Sequence, residues 1–407
     1  MDVNDVRVLR ELAKEVREAA STPSMEEKRR LWKAHNDLKA AQPLVLFEAV
    51  SVTHELFPES SLKCQSDIAR SAEKALRLKL FHASVIKDDL VVDAEYRVNF
   101  HVKQHGWREK LVYRTARGDD AGLHSYVPIP LLSDPEDIYG ISHSTFSVDR
   151  EKTLSELAFW EDIFGDILNV RLRGAYWWTL GMTWDFIRLT GMETLLTLPY
   201  DDEDAFHAIM RFLTDDQYRF FDFLERENLL TLNNGNDYVG SGGYGYTGEL
   251  PSSGFAGTVR TKDLWCLLAS QESVGMSPTT FKDFIFPYQM ETSRRFGRVY
   301  YCCCEPLHER YEIIREMDNL RTLSVSPWCD MKRLSEKISK DIIVACKPNP
   351  AFISQGFEED ALKAHVERTK DSFKNNAIEY VMKDVHTIGG DVSRITRWID
   401  MARERLG

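Results

Sequence analysis

From about residue 195 onward, short β-branched or apolar runs alternate with longer helical segments, and no hairpin turn joins one run to the next. Strands joined by crossover helices pair in parallel, so this pattern specifies an α/β fold. The runs fall at 229–232, 264–269, 298–303, 322–326, 341–346 and 378–382. Earlier candidates at 43–52 and 173–179 bring the count to eight. No nucleotide-binding first turn opens the repeat, so a closed TIM (β/α)8 barrel fits better than an open doubly wound sheet.

The first part of the chain reads differently. Val6, Leu9, Leu12, Ala13 and Val16 recur at helical spacing, and Ser24 with Glu27 makes a capping box for a second helix from Met25 to about Ala41. Residues 90–102 alternate like an edge strand, whereas 105–149 are rich in Gly, Pro, Asp and His and read as long lid loops. Further on, Ser277-Pro278 opens a helix with Ser as cap and Pro in the first turn. The expected organisation is one barrel domain over 1–407. Residues 1–150 supply N-terminal helices, edge strands and loops, and 151–407 supply the main barrel repeats.

Charge narrows the function. Lys and Arg number 52 against 64 Asp and Glu, a net charge of −12, which is too acidic for a duplex-binding protein and predicts no nucleic-acid partner. No apolar run approaches the roughly 20 residues that cross a bilayer. Residues 1–30 are charged throughout and lack a signal peptide's apolar core. The expectation is a cytoplasmic protein with no membrane partner. Seven cysteines, three of them adjacent at 302–304, do not form a disulfide framework in such a compartment.

Barrel chemistry lies at the strands' C-terminal ends, here 233–237, 270–272, 302–305, 326–329, 347–349 and 384–386. Asp237 and Glu272, at two of these ends, are acid or base candidates. For His101, His124 and His143, in the loop-rich region, a solvated role is the default. Gly243 to Gly248 matches the dinucleotide pattern G-x-G-x-x-G, but Pro251 and Gly254 forbid the helix that would hold a pyrophosphate. A flexible Gly/Tyr lid near the site is expected instead. Asp384 to Gly389 matches D-x-H-x-x-G, a cobalamin-binding histidine loop, yet too few residues follow for the α/β domain that loop requires.

The run Tyr300-Tyr301-Cys302-Cys303-Cys304-Glu305-Pro306 ends one predicted strand. Alternation places Cys302 and Cys304 on one face and Cys303 on the other. Two thiolates at this spacing and a remote imidazole, His386, match the three ligands and open position of a catalytic zinc. The competing reading is packing, because cysteine is a small, often buried hydrophobe.

Several segments carry a family resemblance: Ser270-Gln271-Glu272-Ser273-Val274-Gly275-Met276-Ser277-Pro278, Phe286-Pro287-Tyr288, the Cys-Cys-Glu-Pro tract at 303–306, Ser324-Val325-Ser326-Pro327-Trp328 and Lys347-Pro348-Asn349-Pro350. They resemble the uroporphyrinogen decarboxylase superfamily. The closer resemblance is to its branch of zinc- and corrinoid-dependent methyltransferases and decarboxylase-like proteins of anaerobic bacteria. The resemblance implies a TIM barrel. It departs from the true decarboxylases, whose Gln-Ala-Gly-Arg segment has no counterpart in 31–41. In the methyltransferase branch a His-x-Cys pair and a late cysteine hold zinc. The matching positions here are Cys302, Cys304 and His386, with Cys303 or Glu305 serving if the strand bends.

The activity implied is transfer of a methyl group from a small methylated substrate to a corrinoid (cobalamin) carried by a partner protein, with zinc as Lewis acid. Trp177, Trp178, Tyr244, Tyr246, Trp328 and Lys347 are the substrate-binding candidates. Their aromatic content favours an aromatic methyl ether, hence O-demethylation, over thiols and amines. Two alternatives stand beside this reading. One is a metal-free decarboxylase or lyase in which Arg173, Lys347 and Arg394 grip carboxylates. The other is a non-catalytic barrel that binds a corrinoid or tetrapyrrole.

Overall fold

A computed structural model describes residues 1–39, 42–115, 126–302 and 304–407. At its centre lies a six-stranded sheet, in the spatial order Leu44–Phe47, Ile378–Met382, Ile343–Cys346, Leu320–Val325, Arg298–Tyr301 and Trp265–Leu268. Every neighbouring pair is parallel. These strands are short, and nearly all of their residues are buried. That is the condition of a parallel sheet covered by its crossover helices. Five of the expected runs appear: three with trimmed ends, 378–382 as expected, and 322–326 moved to Leu320–Val325. The 43–52 run stops early, because Ala49–Val52 coils into a 3-10 helix.

The backbone ladder does not close into a barrel among the described residues. Glu95–Asn99 and Asn169–Arg173 form a separate parallel pair. The expected strand at 173–179 is therefore corrected: the strand ends at Arg173, and Trp177 beyond it packs edge-on against Phe221 and Phe296. The 229–232 run carries no strand pairing. Side chains make the links there instead. Gly174 N donates to Thr231 Oγ1 at 2.9 Å. Asn233 donates to Trp265 O and accepts from Trp265 N, at 3.0 and 2.9 Å. Across the opposite edge, Asp89 N donates to Val45 O while the Asp89 carboxylate accepts from Val45 N at 2.7 Å. Asn233 and Asp89 thus take the place of a neighbouring strand at the two edges of the sheet.

The N-terminal helices are Val3–Ala20 and Pro23–Asn36. The Ser24 capping box is not formed, because the second helix begins two residues earlier, with Thr22 at the N-cap and Pro23 in the first turn. Proline's fixed φ and missing N–H suit that position. Val8, Leu9, Ala13 and Val16 share a second core with Trp160 and Phe164, apart from the main one. The expectation of loops throughout 105–149 is also corrected. His101–His105 pairs antiparallel with Thr145–Asp149, and Val112–Thr115 with Tyr126–Ile129. Val112–Thr115 and Tyr126–Ile129 are largely solvent-exposed, whereas Thr145–Asp149 alternates, with Phe146 and Val148 turned to the main core. No helix among the described residues is long and apolar enough to cross a membrane.

Candidate functional site

A cavity of about 670 Å³ opens where Leu44–Phe47, Ile378–Met382 and Asn169–Arg173 end. Glu48 and Lys383 are the first polar residues beyond two of those strands, and both line it. Its third wall is the helix Asp67–Phe81, which presents Ala75, Leu76, Leu78 and Lys79.

One side of the cavity is aromatic. Trp178, half exposed at the mouth, stacks on Tyr238 with ring centroids 5.5 Å apart and planes 17° apart. Lys383 Nζ stands 5.7 Å from the centre of the Trp178 ring, within cation–π range. Tyr238 donates its hydroxyl proton to Glu48, which lies 3.7 Å from Lys383 Nζ. Burial, then the Glu48 carboxylate, pushes the Tyr238 hydroxyl well above its ordinary pKa, so it remains a donor. Tyr244 meets both Tyr238 and Trp32 edge-on.

The other side is ionic. Buried Asp237 accepts from Arg97 Nη1 at 3.1 Å and lies 3.7 Å from Arg173 Nε. Burial raises the Asp237 carboxyl pKa even against Arg97 and Arg173. Arg97 also pairs with Asp93 and Glu95. Burial lowers the Arg173 pKa, Asp237 opposing and Arg97 adding to it. Its buried Nε has no hydrogen-bond partner among the described residues. Trp177 and Asp237 face a hollow of about 50 Å³ that shares Arg173, Trp178 and Tyr238 with the larger cavity.

Of the residues singled out from sequence, Trp178 and Tyr244 line the large cavity, and Trp177 and Asp237 the adjoining hollow. Arg173 lines both, and the other candidates lie elsewhere. Tyr246 packs beside Trp32 and Leu44. Trp328 is exposed, and Lys347 is buried with its ammonium on Ser324 Oγ. Glu272 accepts from Thr183 Oγ1 at 2.7 Å. Arg394 donates to the carbonyls of Ile353 and Ser354 rather than facing the cavity. His101 pairs with Glu156, and His143 stacks on Phe212. Cys303 and His124 fall outside the described residues.

The zinc donors are not gathered. Cys302 is fully buried, whereas Cys304 and His386 are exposed. Glu305 is buried and committed to Ser270 N and Arg310, burial raising its pKa to about 7 against the nearby guanidinium. Among the described residues, no group of three or more His, Cys, Asp or Glu side chains is arranged to hold a metal ion. Among the described residues, which leave out Cys303, Cys302 is set apart from Cys304 and His386, because the strand stops at Tyr301 and alternation no longer pairs the thiols. Burial raises the Cys302 thiol pKa, and Lys347 and Lys383 pull against it.

The glycine-rich segment is a plug, not a flexible lid. A Cβ on Gly240 would sit 2.2 Å from the Tyr300 ring, and one on Gly242, at φ +102°, 2.5 Å from Val381. Asn36 Nδ2 donates to the carbonyls of Tyr244 and Tyr246 at 2.7 and 2.8 Å. Trp265 Nε1 holds Gly245 O, and Asp37 accepts from Thr247 Oγ1 and Gly248 N. Here glycine serves close approach to the strands rather than mobility.

The sequence reading missed Glu48, Lys79, His82, Asp93 and Arg97, all of which line the cavity. His82 Nδ1 lies 3.1 Å from both carboxylate oxygens of Asp88. The rule that chemistry follows strand ends finds Glu48 once the first strand is stopped at Phe47.

No protein-family model matches the chain, and no curated protein does. Solved structures do match. Among them is a methyltransferase from Methanosarcina mazei, 11% identical, with a TM-score of 0.51, spanning 92% of this chain and 97% of its own. At that identity the likeness is one of fold.

Proposed function

We propose that this chain is a TIM-barrel methyltransferase of the uroporphyrinogen decarboxylase type. It takes a small methylated substrate, an aromatic methyl ether in preference, and passes the methyl group to a corrinoid carried by a partner protein. The observation that carries this reading is the cavity of about 670 Å³ at the strand ends, aromatic on one side and charged on the other. The likeness over 92% of the chain to a methyltransferase fold supports it, as do the side-chain bridges of Asn233 and Asp89 across the open sheet edges.

The corrinoid supplies a cobalt(I) nucleophile, so the chain needs no nucleophile of its own. Its residues bind and orient. Trp178, Tyr238 and Tyr244 offer faces and edges to an aromatic ring. Lys383, whose ammonium stands beside Glu48 and the Trp178 face, offers a donor to the ether oxygen, while Glu48 holds the Tyr238 hydroxyl in place. Trp178 at the mouth leaves the methyl side open toward a partner. No step runs through zinc.

The test is anaerobic incubation of the full chain with 4-methoxyphenol and free cob(I)alamin. Methylcobalamin and hydroquinone are expected in equal amounts, with KM at least about tenfold higher in Trp178→Ala if the stacking surface is lost. A second reading, a carboxylate-gripping lyase, is favoured by Arg173 in the cavity wall, whose buried Nε faces Asp237 without a hydrogen bond among the described residues. Carbon dioxide release from a carboxylated substrate, without methyl transfer, would establish that reading instead.

A further inference from the structure

His82 and Asp88 form a buried pair whose construction differs from ordinary packing. The helix Asp67–Phe81 runs into one π-helical turn, His82–Ile86, and Lys87 then takes a left-handed conformation at φ 56°. Single π-turns and left-handed non-glycine residues both carry a conformational cost and recur at functional sites. Here the two together turn the chain back on itself, so that Asp88 meets the His82 ring six residues earlier. Asp88 is fixed in turn, accepting from Phe47 N at 3.1 Å and Leu90 N at 3.3 Å. That ties the pair to the C-terminal end of the first sheet strand.

The pair spends Nδ1 on the carboxylate while the ring lines the large cavity. Among the described residues no hydrogen-bond partner is found for Nε2. A carboxylate on Nδ1–H fixes the tautomer and leaves Nε2 to exchange protons with a bound molecule. Lys79, Glu48, Asp93 and Lys383 line the same space, and Lys28 and Asp89 stand near Asp88.

We propose that His82 is the acid–base residue of the cavity and Asp88 its positioning residue. Resting on the methyl-transfer reading, the inference adds that His82 protonates the leaving oxygen. As the acceptor's electron pair forms its bond to the methyl carbon, the carbon–oxygen bond breaks and its pair moves to oxygen. The His82 Nε2 proton passes to that oxygen, giving a neutral phenol, and the ring regains a proton from water. The protonated imidazole does for the leaving group what a Lewis acid would otherwise do.

The experiment compares two methyl ethers with the full chain and free cob(I)alamin. 4-Methoxyphenol has a poor leaving group that needs a proton, and 4-nitroanisole a good one that does not. His82→Gln is expected to lower kcat about 100-fold on the first, within the usual range for general acid catalysis, and only a few-fold on the second. Equal losses on both would overturn the proton-donor role, since a structural defect does not sense the leaving group. Nitrogen-15 NMR of the His82 ring gives a readout independent of turnover. The neutral ring is expected as the Nδ1–H tautomer in the wild type and as a mixture in Asp88→Asn. An Asp88-independent tautomer would overturn the pair. Failure of the wild type to demethylate either ether would overturn the methyl-transfer reading. The Asp88-dependent tautomer, with His82 carbethoxylated by diethyl pyrocarbonate, would then still support His82 as the cavity's acid–base group.

Discussion

Glu379, on the sheet strand Ile378–Met382, and His35, on the helix Pro23–Asn36, lie 3.8 Å apart and buried, and burial moves their protonation in opposite senses. Burial raises the Glu379 pKa to about 7, opposed by the Tyr300 hydroxyl and Lys347, and lowers His35 to about 3. Between pH 4.5, its ordinary value, and about 7, the folded state keeps a Glu379 proton that the unfolded chain releases. Glu379 therefore withdraws stability as pH rises through that window. His35 does the reverse: below pH 6.5 the unfolded chain binds a proton that the folded state refuses down to about pH 3, so stability is lost on acidification. The two slopes oppose each other in the overlap. Glu379→Gln should gain stability relative to wild type as pH rises from about 4.5 to 7, and His35→Leu should gain as pH falls from about 6.5. Urea unfolding at stepped pH reads both, and a variant-to-wild-type difference that does not change with pH would refute the assignment. Metal content is the second residue-scale prediction. Wild-type protein purified anaerobically should carry well under one zinc per chain, because buried Cys302 and exposed Cys304 and His386 do not converge. Stoichiometric zinc lost in both Cys304→Ala and His386→Ala would restore the site drawn from sequence. Alternation over 302–304 needs the strand to continue, and it stops at Tyr301; that stop was not legible in the sequence. Which thiol is buried was not legible either, because Cys302 packs with Leu267 and Ala345, which stand on other strands of the sheet.

At the scale of elements, the plug at 240–245 shows why a motif's composition does not specify its behaviour. Glycine and tyrosine in alternation suit a mobile lid equally well. The deciding partners are Tyr300, about 60 residues later, and Asn36, about 200 earlier. Local sequence carries no record of either. Gly240→Ala would place a methyl group 2.2 Å from the Tyr300 ring, so something must move. Overpacking of that kind costs about 1–3 kcal/mol. The change should appear as a lower urea midpoint with unchanged slope, whereas a mobile lid would accept alanine at almost no cost. Elements whose signal is local were legible: Ser277 caps the helix at Pro278 as expected, its Oγ accepting from Thr280 N at 3.0 Å. The second N-terminal helix shows competition between two local signals, where Pro23 in the first turn prevails over the Ser24 box.

For the whole molecule, the repeat of parallel units in the second part of the chain was legible because each strand's burial is written in its own residues. The dependence of those units on residues 1–150 was not. Leu44–Phe47 forms one edge of the central sheet against Ile378–Met382, and Glu95–Asn99 pairs with Asn169–Arg173. Asn36 and Asp37 hold the plug, and Glu55 accepts from Ile388 N and Gly390 N near the other end of the chain. Most of the cavity wall comes from these early residues too. A fragment of residues 151–407 would expose the Ile378–Met382 strand as a raw edge and leave the plug unclamped, and unpaired apolar edges favour association over folding. Expressed alone, it should bind a hydrophobic dye, show no cooperative thermal transition and precipitate, while the full chain melts in a single step. Addition of residues 1–150 as a separate chain during refolding should recover part of that transition, since the pairings are noncovalent. A sharp, reversible melt of 151–407 by itself would mean that the early residues are an appendage and that the cavity they line is not part of a common fold.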